Sequence, residues 1–268
     1  MKLEKATFDD IPSRGVIAVA GAGGKTTLIH CLADHFRKKN LRVLVTTTTH
    51  MLRERDTVTD PGRALASLRA EGYAFAGAAD PKNGRKITAF PDKVLRTLIL
   101  AADVTLIEAD GARGLPFKAP QPWEPVVPQG AAGVIFVMGM DACGKDVREV
   151  CYNPEGVLKA LSEAERADGR VPEADAAARQ AGPAAEKSRK DMPAPVAAGS
   201  SPEKEKGPSL NRAENEKHLL TEEGMLKVYE TTYLRPYLEG KKGRPAVFIL
   251  QNYKRGEDHM ADSFFRVM

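Results

Sequence analysis

The chain of 268 residues has only three cysteines, Cys31, Cys143 and Cys151, and no C-x-x-C pair among them. An odd count without paired spacing argues against a disulfide framework. Cys31 falls on the apolar side of the first expected helix and reads as a packed core thiol. No apolar run approaches the roughly 20 residues that cross a bilayer. The opening M-K-L-E-K-A-T-F-D-D lacks the apolar core of a secretory signal. These absences predict a cytoplasmic location and no membrane partner. A strong excess of one charge is missing too, since 40 basic residues face 36 acidic ones for a net charge of +4. No basic stretch carries interleaved aromatics, so no nucleic-acid partner is expected. What remains is a chain with 42% hydrophobic residues, long enough for one sizeable domain and its core.

The most informative stretch is V-I-A-V-A-G-A-G-G-K-T-T, Val16 to Thr27. An apolar β-branched run ends in glycines, and an amphipathic pattern follows at Leu28, Ile29, Leu32 and Phe36. This predicts strand, phosphate loop and helix. Glycines let a backbone approach a polyphosphate and aim successive N–H groups at it. The helix N-terminus adds further donors and partial positive charge. Gly21, Ala22, Gly23, Gly24, Lys25, Thr26 and Thr27 are the expected nucleotide-binding residues. Lys25 would reach the β and γ phosphates, and the Thr26 hydroxyl would ligate Mg2+. One position departs from the full phosphate-loop pattern, which has glycine where Val19 stands.

Three further segments belong at the same edge of a parallel sheet. Leu41 to Val45, apolar apart from Arg42, is an expected buried strand that runs into Thr46, Thr47, Thr48, Thr49 and His50. His50 suits a metal ligand, a group titrating near neutrality, or a turn cap. Val104 to Ile107 leads into Glu108-Ala109-Asp110-Gly111. One of the two carboxylates, Glu108 or Asp110, would hold Mg2+ with Thr26, and the other would orient the attacking group. Both are therefore catalytic candidates with Lys25. The loop that follows has five prolines from Pro116 to Pro128 and must run extended. Its Arg113 and Lys118 suit either a phosphate or acidic substrate, or a solvated surface. Trp123 is expected to anchor this loop on the core. Gly133 to Met140 is another strand, with Asp141 and Lys145 after it as candidate substrate or nucleotide contacts.

Elsewhere, Arg63 to Glu71 and Val94 to Ala101 read as helices. A small hairpin is expected around Asn83-Gly84, between Tyr73–Ala76 and Lys86–Thr88. A short helix should run from Pro154 to Leu161. Residues 163–216 contain no aromatic residue and are filled with Ala, Pro, Glu, Lys, Ser and Gly, the composition of a disordered insert. Order should return near His218 with a helix that buries Met225, Val228, Tyr229 and Tyr233. A strand at Pro245 to Leu250 and a helix from Gly256 onward would complete the domain. The expected organisation is a phosphate-loop core at 1–162, the insert at 163–216, and residues 217–268 completing the core. The expected fold is a three-layer α/β domain with a mainly parallel sheet.

Four blocks, G-A-G-G-K-T-T, V-L-V-T-T-T-T-H-M, E-A-D-G-A-R-G-L-P-F-K-A-P and V-M-G-M-D-A-C-G-K, resemble the selenium-dependent hydroxylase accessory proteins, the YqeC-like family. The resemblance covers roughly half of the chain, and its Thr-rich and Glu-Ala-Asp-Gly blocks are its most specific parts. It implies a P-loop NTPase-like domain binding Mg2+ and ATP or GTP. It also implies a role in maturing a molybdenum hydroxylase that needs selenium, with the client enzyme or a cofactor intermediate as partner. Glu124 joins the motif residues on this basis. Trp123 stands where the family often has His, Cys143 where it often has Leu, and Cys151-Tyr152-Asn153 replaces a common His-Arg pair. Asn252 lacks an Asp three residues on, so the guanine-reading Asn-Lys-x-Asp pattern is absent and ATP and GTP both stay open. Two other readings use the same loop. One is a small-molecule kinase, its acceptor pocket lined by Arg113, Lys118 and Trp123. The other is a non-hydrolytic carrier in which Cys143 or Cys151 is a soft ligand. In the hydrolytic reading, Thr46 to His50 would act as a switch ordered by the γ-phosphate.

Overall fold

A computed structural model of the protein describes residues 2–169, 218–239, 245–252 and 263–268. The expected insert lies outside the described residues from position 170 onward. The strands are β1 (Leu3–Lys5), β2 (Gly15–Ala22), β3 (Val43–Thr47), β4 (His50–Leu52), β5 (Tyr73–Phe75), β6 (Ala78–Ala79), β7 (Lys86–Thr88), β8 (Val104–Glu108), β9 (Phe117–Lys118), β10 (Gly133–Gly139), β11 (Cys151–Tyr152), β12 (Ala246–Asn252) and β13 (Phe264–Val267). The helices are α1 (Lys25–Lys38), α2 (Pro61–Glu71), α3 (Asp92–Ala101), α4 (Val147–Val150), α5 (Pro154–Ala167), α6 (Glu222–Tyr229) and α7 (Arg235–Leu238), with a π turn at Glu230–Leu234 between the last two. The chain divides into one unit at Met1–Ala164 and His218–Met268, to which everything below refers, and a second at Glu165–Lys217.

The main sheet has eight strands in the order β1-β13-β12-β10-β2-β8-β3-β5. The six from β12 to β5 run parallel, as the βαβ pattern requires. Their side chains alternate between two buried faces. On one face α1 lays Leu28, Ile29, Leu32 and Phe36 over Ile17, Val19, Val45 and Leu106. On the other, α2 and α3 cover Leu44 and Ala74, while α5, α6 and the π turn cover Ala18, Ala20, Val134 and Phe136. The domain is thus a three-layer α/β fold. From β2 the chain passes through α1 to β3 on one side, and after β8 it crosses to β10 on the other. The carboxyl end of β2 is therefore a topological switch point, where open α/β sheets form their ligand crevice. No described helix is long and apolar enough to cross a membrane.

Several elements differ from expectation. The last described segment, Phe264–Val267, is a strand antiparallel to β12, not part of a helix. Phe and Val suit a strand, and the pairing covers the outer edge of β12 that a helix would have left open. Tyr73–Phe75 joins the main sheet beside β3, and the hairpin partner of β7 is Ala78–Ala79, whose alanines carry no strand signal. Helix α5 continues to Ala167. Trp123 does not anchor its loop, because its side chain is 71% exposed.

The amino end of the sheet is fastened by a charge pair. Asp103, just before β8, accepts hydrogen bonds from the Arg42 backbone N–H at 2.9 Å, from Arg42 Nε at 3.0 Å and from Arg14 Nη1 at 3.2 Å. Arg42 holds the Asp103 carboxyl down, from its ordinary 3.8 to about 2. A carboxyl lowered on folding contributes stability above its unfolded value and loses it as pH falls through its folded one. Asp103→Asn should therefore melt at a lower temperature than wild type at pH 7. Thermal unfolding followed down to about pH 2 should show the two melting points converge, and a constant difference would refute this account.

Candidate functional site

The switch point is built from the end of β2 and the start of α1. Gly21 has φ +95°, and a Cβ there would sit 2.2 Å from the Val137 carbonyl oxygen of β10. Gly24 precedes the helix at φ +118°, where a Cβ would fall 2.1 Å from Asn252 Nδ2. Only glycine fits either place. The close approaches made here are to the protein's own backbone and to Asn252, which donates to the Gly23 carbonyl at 2.7 Å. Helix α1 has no capping side chain and no acidic residue in its first turn. Its leading N–H groups, at Lys25, Thr26 and Thr27, have no intrahelical acceptor and carry the positive end of the helix dipole.

Lys25 turns back across the loop, 6% exposed, and donates to the Gly21 carbonyl at 2.6 Å. Its ammonium also lies 3.2 Å from Asp110 Oδ1. Asp110 has no exposed surface. It accepts from the Gly21 N–H at 3.0 Å to both oxygens and from the Tyr233 hydroxyl at 2.8 Å, and its Oδ2 lies 3.3 Å from Lys118 Nζ. These contacts fill a carboxylate's capacity of about four lone-pair directions. Lys118 is equally buried, which excludes the reading of a solvated surface base. It donates to the Gly111 carbonyl at 2.7 Å and to Glu124 Oε2 at 2.6 Å.

Glu108 occupies a different position from Asp110. It faces α1, with its Oε2 3.4 Å from the Thr26 hydroxyl. Burial pushes its carboxyl up, partly offset by Lys25 and raised further by Asp110. Beside it the Thr47 hydroxyl donates to the Glu108 carbonyl at 2.9 Å. The Thr48 hydroxyl donates to the Val126 carbonyl at 2.7 Å, tying the proline-rich loop to the end of β3. Thr49 sits within reach of Thr47, its N–H donating to the Thr47 hydroxyl at 3.0 Å, whereas the Thr46 hydroxyl is buried without a partner. Among the described residues no group of three or more His, Cys, Asp or Glu side chains is arranged for a metal. The donors that suit a hard cation here are the Thr26 hydroxyl and the Glu108 carboxylate, and Mg2+ commonly takes one or two carboxylates with the rest of its shell from phosphate and water.

The other candidates are spread more widely. Arg113 is exposed, with φ +50° and its guanidinium 5.2 Å from the Tyr152 ring centroid. Asp141 is half-buried in the 3-10 turn after β10, at the same sheet edge. His50 belongs to the small β4-β7-β6 sheet, where its Nε2 is 3.7 Å from Asp80. Tyr229 and Tyr233 are contributors that motif reading does not supply, and Asn252, read from the sequence only against a guanine-binding pattern, contributes through the hydrogen bond from its side-chain amide to Gly23. The two tyrosines share a helical face with core residues and read as packing. A buried tyrosine hydroxyl needs an acceptor, however, and that was the available signal. Tyr229 donates to the Val137 carbonyl at 2.7 Å, next to Gly21. Tyr233 lies within the π turn, a feature frequent at functional sites.

Residues 17–155 match the family model described as YqeC protein, just over half of the chain. The chain belongs to the YqeC family. It is 38% identical over 143 residues to "Uncharacterized protein YqeC" of Escherichia coli strain K12, an alignment covering 49% of this chain and 54% of that protein. The chain thus matches about half the length of this curated YqeC relative. No solved structure matches it. The YqeC match contains Lys25, Glu108, Asp110 and Lys118, while Tyr229, Tyr233 and Asn252 lie beyond its end.

Tyr233→Phe removes the hydroxyl donor to Asp110 and leaves the shape of the core intact. A buried hydrogen bond to a charged group contributes about 1.5–3 kcal/mol, so urea unfolding should show a loss of that order. A loss below about 0.5 kcal/mol, the usual scale of a neutral surface change, would mean the Tyr233–Asp110 bond is dispensable.

Proposed function

We propose that this YqeC-family chain binds and hydrolyses a nucleoside triphosphate with Mg2+, as an accessory protein in the maturation of a selenium-dependent molybdenum hydroxylase. The observation that carries the nucleotide part is the uncapped N-terminus of α1 at the sheet's switch point, with the Lys25 ammonium lying across the loop that feeds it. Backbone N–H groups at such an end are an anion site. Lys25 would leave the Gly21 carbonyl and Asp110 for the β and γ phosphates, where it and the loop amides stabilise charge on the transferred phosphoryl group. Thr26 and Glu108 would hold the cation, which when bound offsets phosphate charge and fixes the geometry of transfer. The client and the pathway come from family resemblance. Lys118 has no exposed surface and is engaged by internal acceptors, which disfavours it as the lining of an acceptor pocket for a kinase. Cys151 is buried, and burial pushes its thiol up to about 12, which disfavours the thiolate a soft-metal carrier needs.

Titration with ATP and with GTP in the presence of Mg2+ tests the reading. Wild type should bind at least one of them, and Lys25→Ala should lose binding by on the order of 100-fold. Absence of binding to either nucleotide at millimolar concentration would overturn the proposal. Turnover by the binding-competent protein separates a hydrolase from a scaffold.

Glu108 supplies a pH dependence. Its carboxyl titrates higher in the folded protein than in the unfolded chain, so the folded state holds the extra proton between those two values. Stability from this group is therefore present at low pH and declines as pH rises through the window. Cation binding needs the ionised carboxylate and strengthens over the same interval. Glu108→Gln should abolish both trends and weaken the Mg2+ dependence of nucleotide binding; a Mg2+ dependence equal to wild type would remove Glu108 from the cation site.

A further inference from the structure

Lys118 directs its ammonium at three acceptors on three parts of the loop after β8: the Gly111 carbonyl, Glu124 and Asp110. Two of these are hydrogen bonds and the third, to Asp110, is an ion pair at 3.3 Å, and the side chain has no exposed surface for a ligand. Glu124 in turn accepts from the Gln121 N–H at 3.0 Å, while its own N–H donates to the Gln121 carbonyl at 2.9 Å. These two bonds close the turn that carries the exposed Trp123. On the other side, Asp110 holds Lys25 and the Gly21 N–H. An unbroken run of ion pairs, Lys25–Asp110–Lys118–Glu124, thus connects the phosphate loop to the Trp123 turn. Its two ammonium groups and two carboxylates balance in charge.

Withdrawing the Lys25 ammonium to a phosphate changes that balance. Asp110 keeps the Gly21 N–H and the Tyr233 hydroxyl, so it stays hydrogen-bonded, but Lys118 becomes its only cationic neighbour. Lys118 is then free of the repulsion from Lys25, so it moves toward Asp110 at the expense of the Lys118–Glu124 contact. We propose that Lys118 is a positioning residue that couples the phosphate loop to the Trp123 turn. When Lys25 engages a phosphate, Lys118 is drawn toward Asp110, its hold on Glu124 loosens, and the turn at 121–124 shifts. The exposed Trp123 surface then differs between the nucleotide-free and nucleotide-bound protein. This rests on the nucleotide-binding reading above.

Trp123 is the sole tryptophan, so emission excited selectively at tryptophan, and not at the six tyrosines, reports on that turn. The protein is titrated with Mg-ATP and Mg-GTP while binding is followed separately by calorimetry. Wild type should show a saturable emission change with the same midpoint as binding. Glu124→Gln removes the charge from the far end of the run; it should bind within about threefold of wild type, as a remote site should, yet lose most of the emission change. Should Glu124→Gln fail to fold, Glu124→Asp keeps the charge, shortens its reach to Lys118 and carries the same expectation. Wild-type binding with silent emission, or a full response in the variant that has lost the ion pair, overturns the coupling and leaves the nucleotide site standing. No binding of either nucleotide overturns both.

Discussion

Asp110 is a carboxylate with no contact with solvent, placed where β8 runs out beneath the loop that ends β2. Taking such a charge out of water costs several kcal/mol even after relaxation, and only good pairing and full hydrogen bonding offset that cost. The surroundings of Asp110 meet this demand from four directions: a loop amide, a tyrosine on the π turn, and two lysines. Each donor comes from a different part of the chain. Lys25 begins α1, Lys118 sits in the proline-rich loop, and Tyr233 arrives after position 218. The condition that Asp110 be satisfied therefore fixes the relative placement of all three. The glycine at 21 follows from the same arrangement, since any side chain there would strike β10.

The parallel core was legible because its strands are apolar on both faces. Val16–Ala20, Val104–Ile107 and Val134–Val137 have no other way to bury themselves than between two helix layers. The switch point was legible for a similar reason, as glycines followed by Lys-Thr and an amphipathic helix agree at every level. The short elements were not. Ala78–Ala79 has no strand propensity of its own and pairs only because β7 presents an open edge. Phe264–Val267 is too short to show whether its period is that of a strand or a helix. Trp123 was misread on the principle that a large aromatic prefers burial, whereas the neighbouring Glu124 supplies the loop's fastening through Lys118.

The site was legible by residue type but not by role. Sequence spacing put Glu108 and Asp110 together as two carboxylates at a strand end, interchangeable on paper. Structure separates them by what surrounds each. Glu108 sits beside a hydroxyl at the start of α1 and is raised by burial, while Asp110 is enclosed by hydrogen-bond donors. An enclosed carboxylate of that kind organises the groups around it, whereas Glu108 has a single side-chain hydrogen bond, from the Thr26 hydroxyl. Such a difference depends on partners from distant positions, and no local pattern encodes it.

The family match ends at residue 155, yet the loop it contains is completed from beyond that point. Tyr229 braces the Val137 carbonyl against Gly21, Tyr233 donates to Asp110, and Asn252 holds the Gly23 carbonyl. The chain returns to this unit through backbone bonds between residues 144–147 and 218–220, which pin the start of the later segment beside the earlier one. Both ends of the intervening segment are thus held beside the unit that carries the site, and the constraints on that site act on either side of it. The half of the chain that carries the recognisable motifs supplies the charges and the threonine hydroxyls, and the later segment adds two tyrosine hydroxyls and the Asn252 amide that hold them in place.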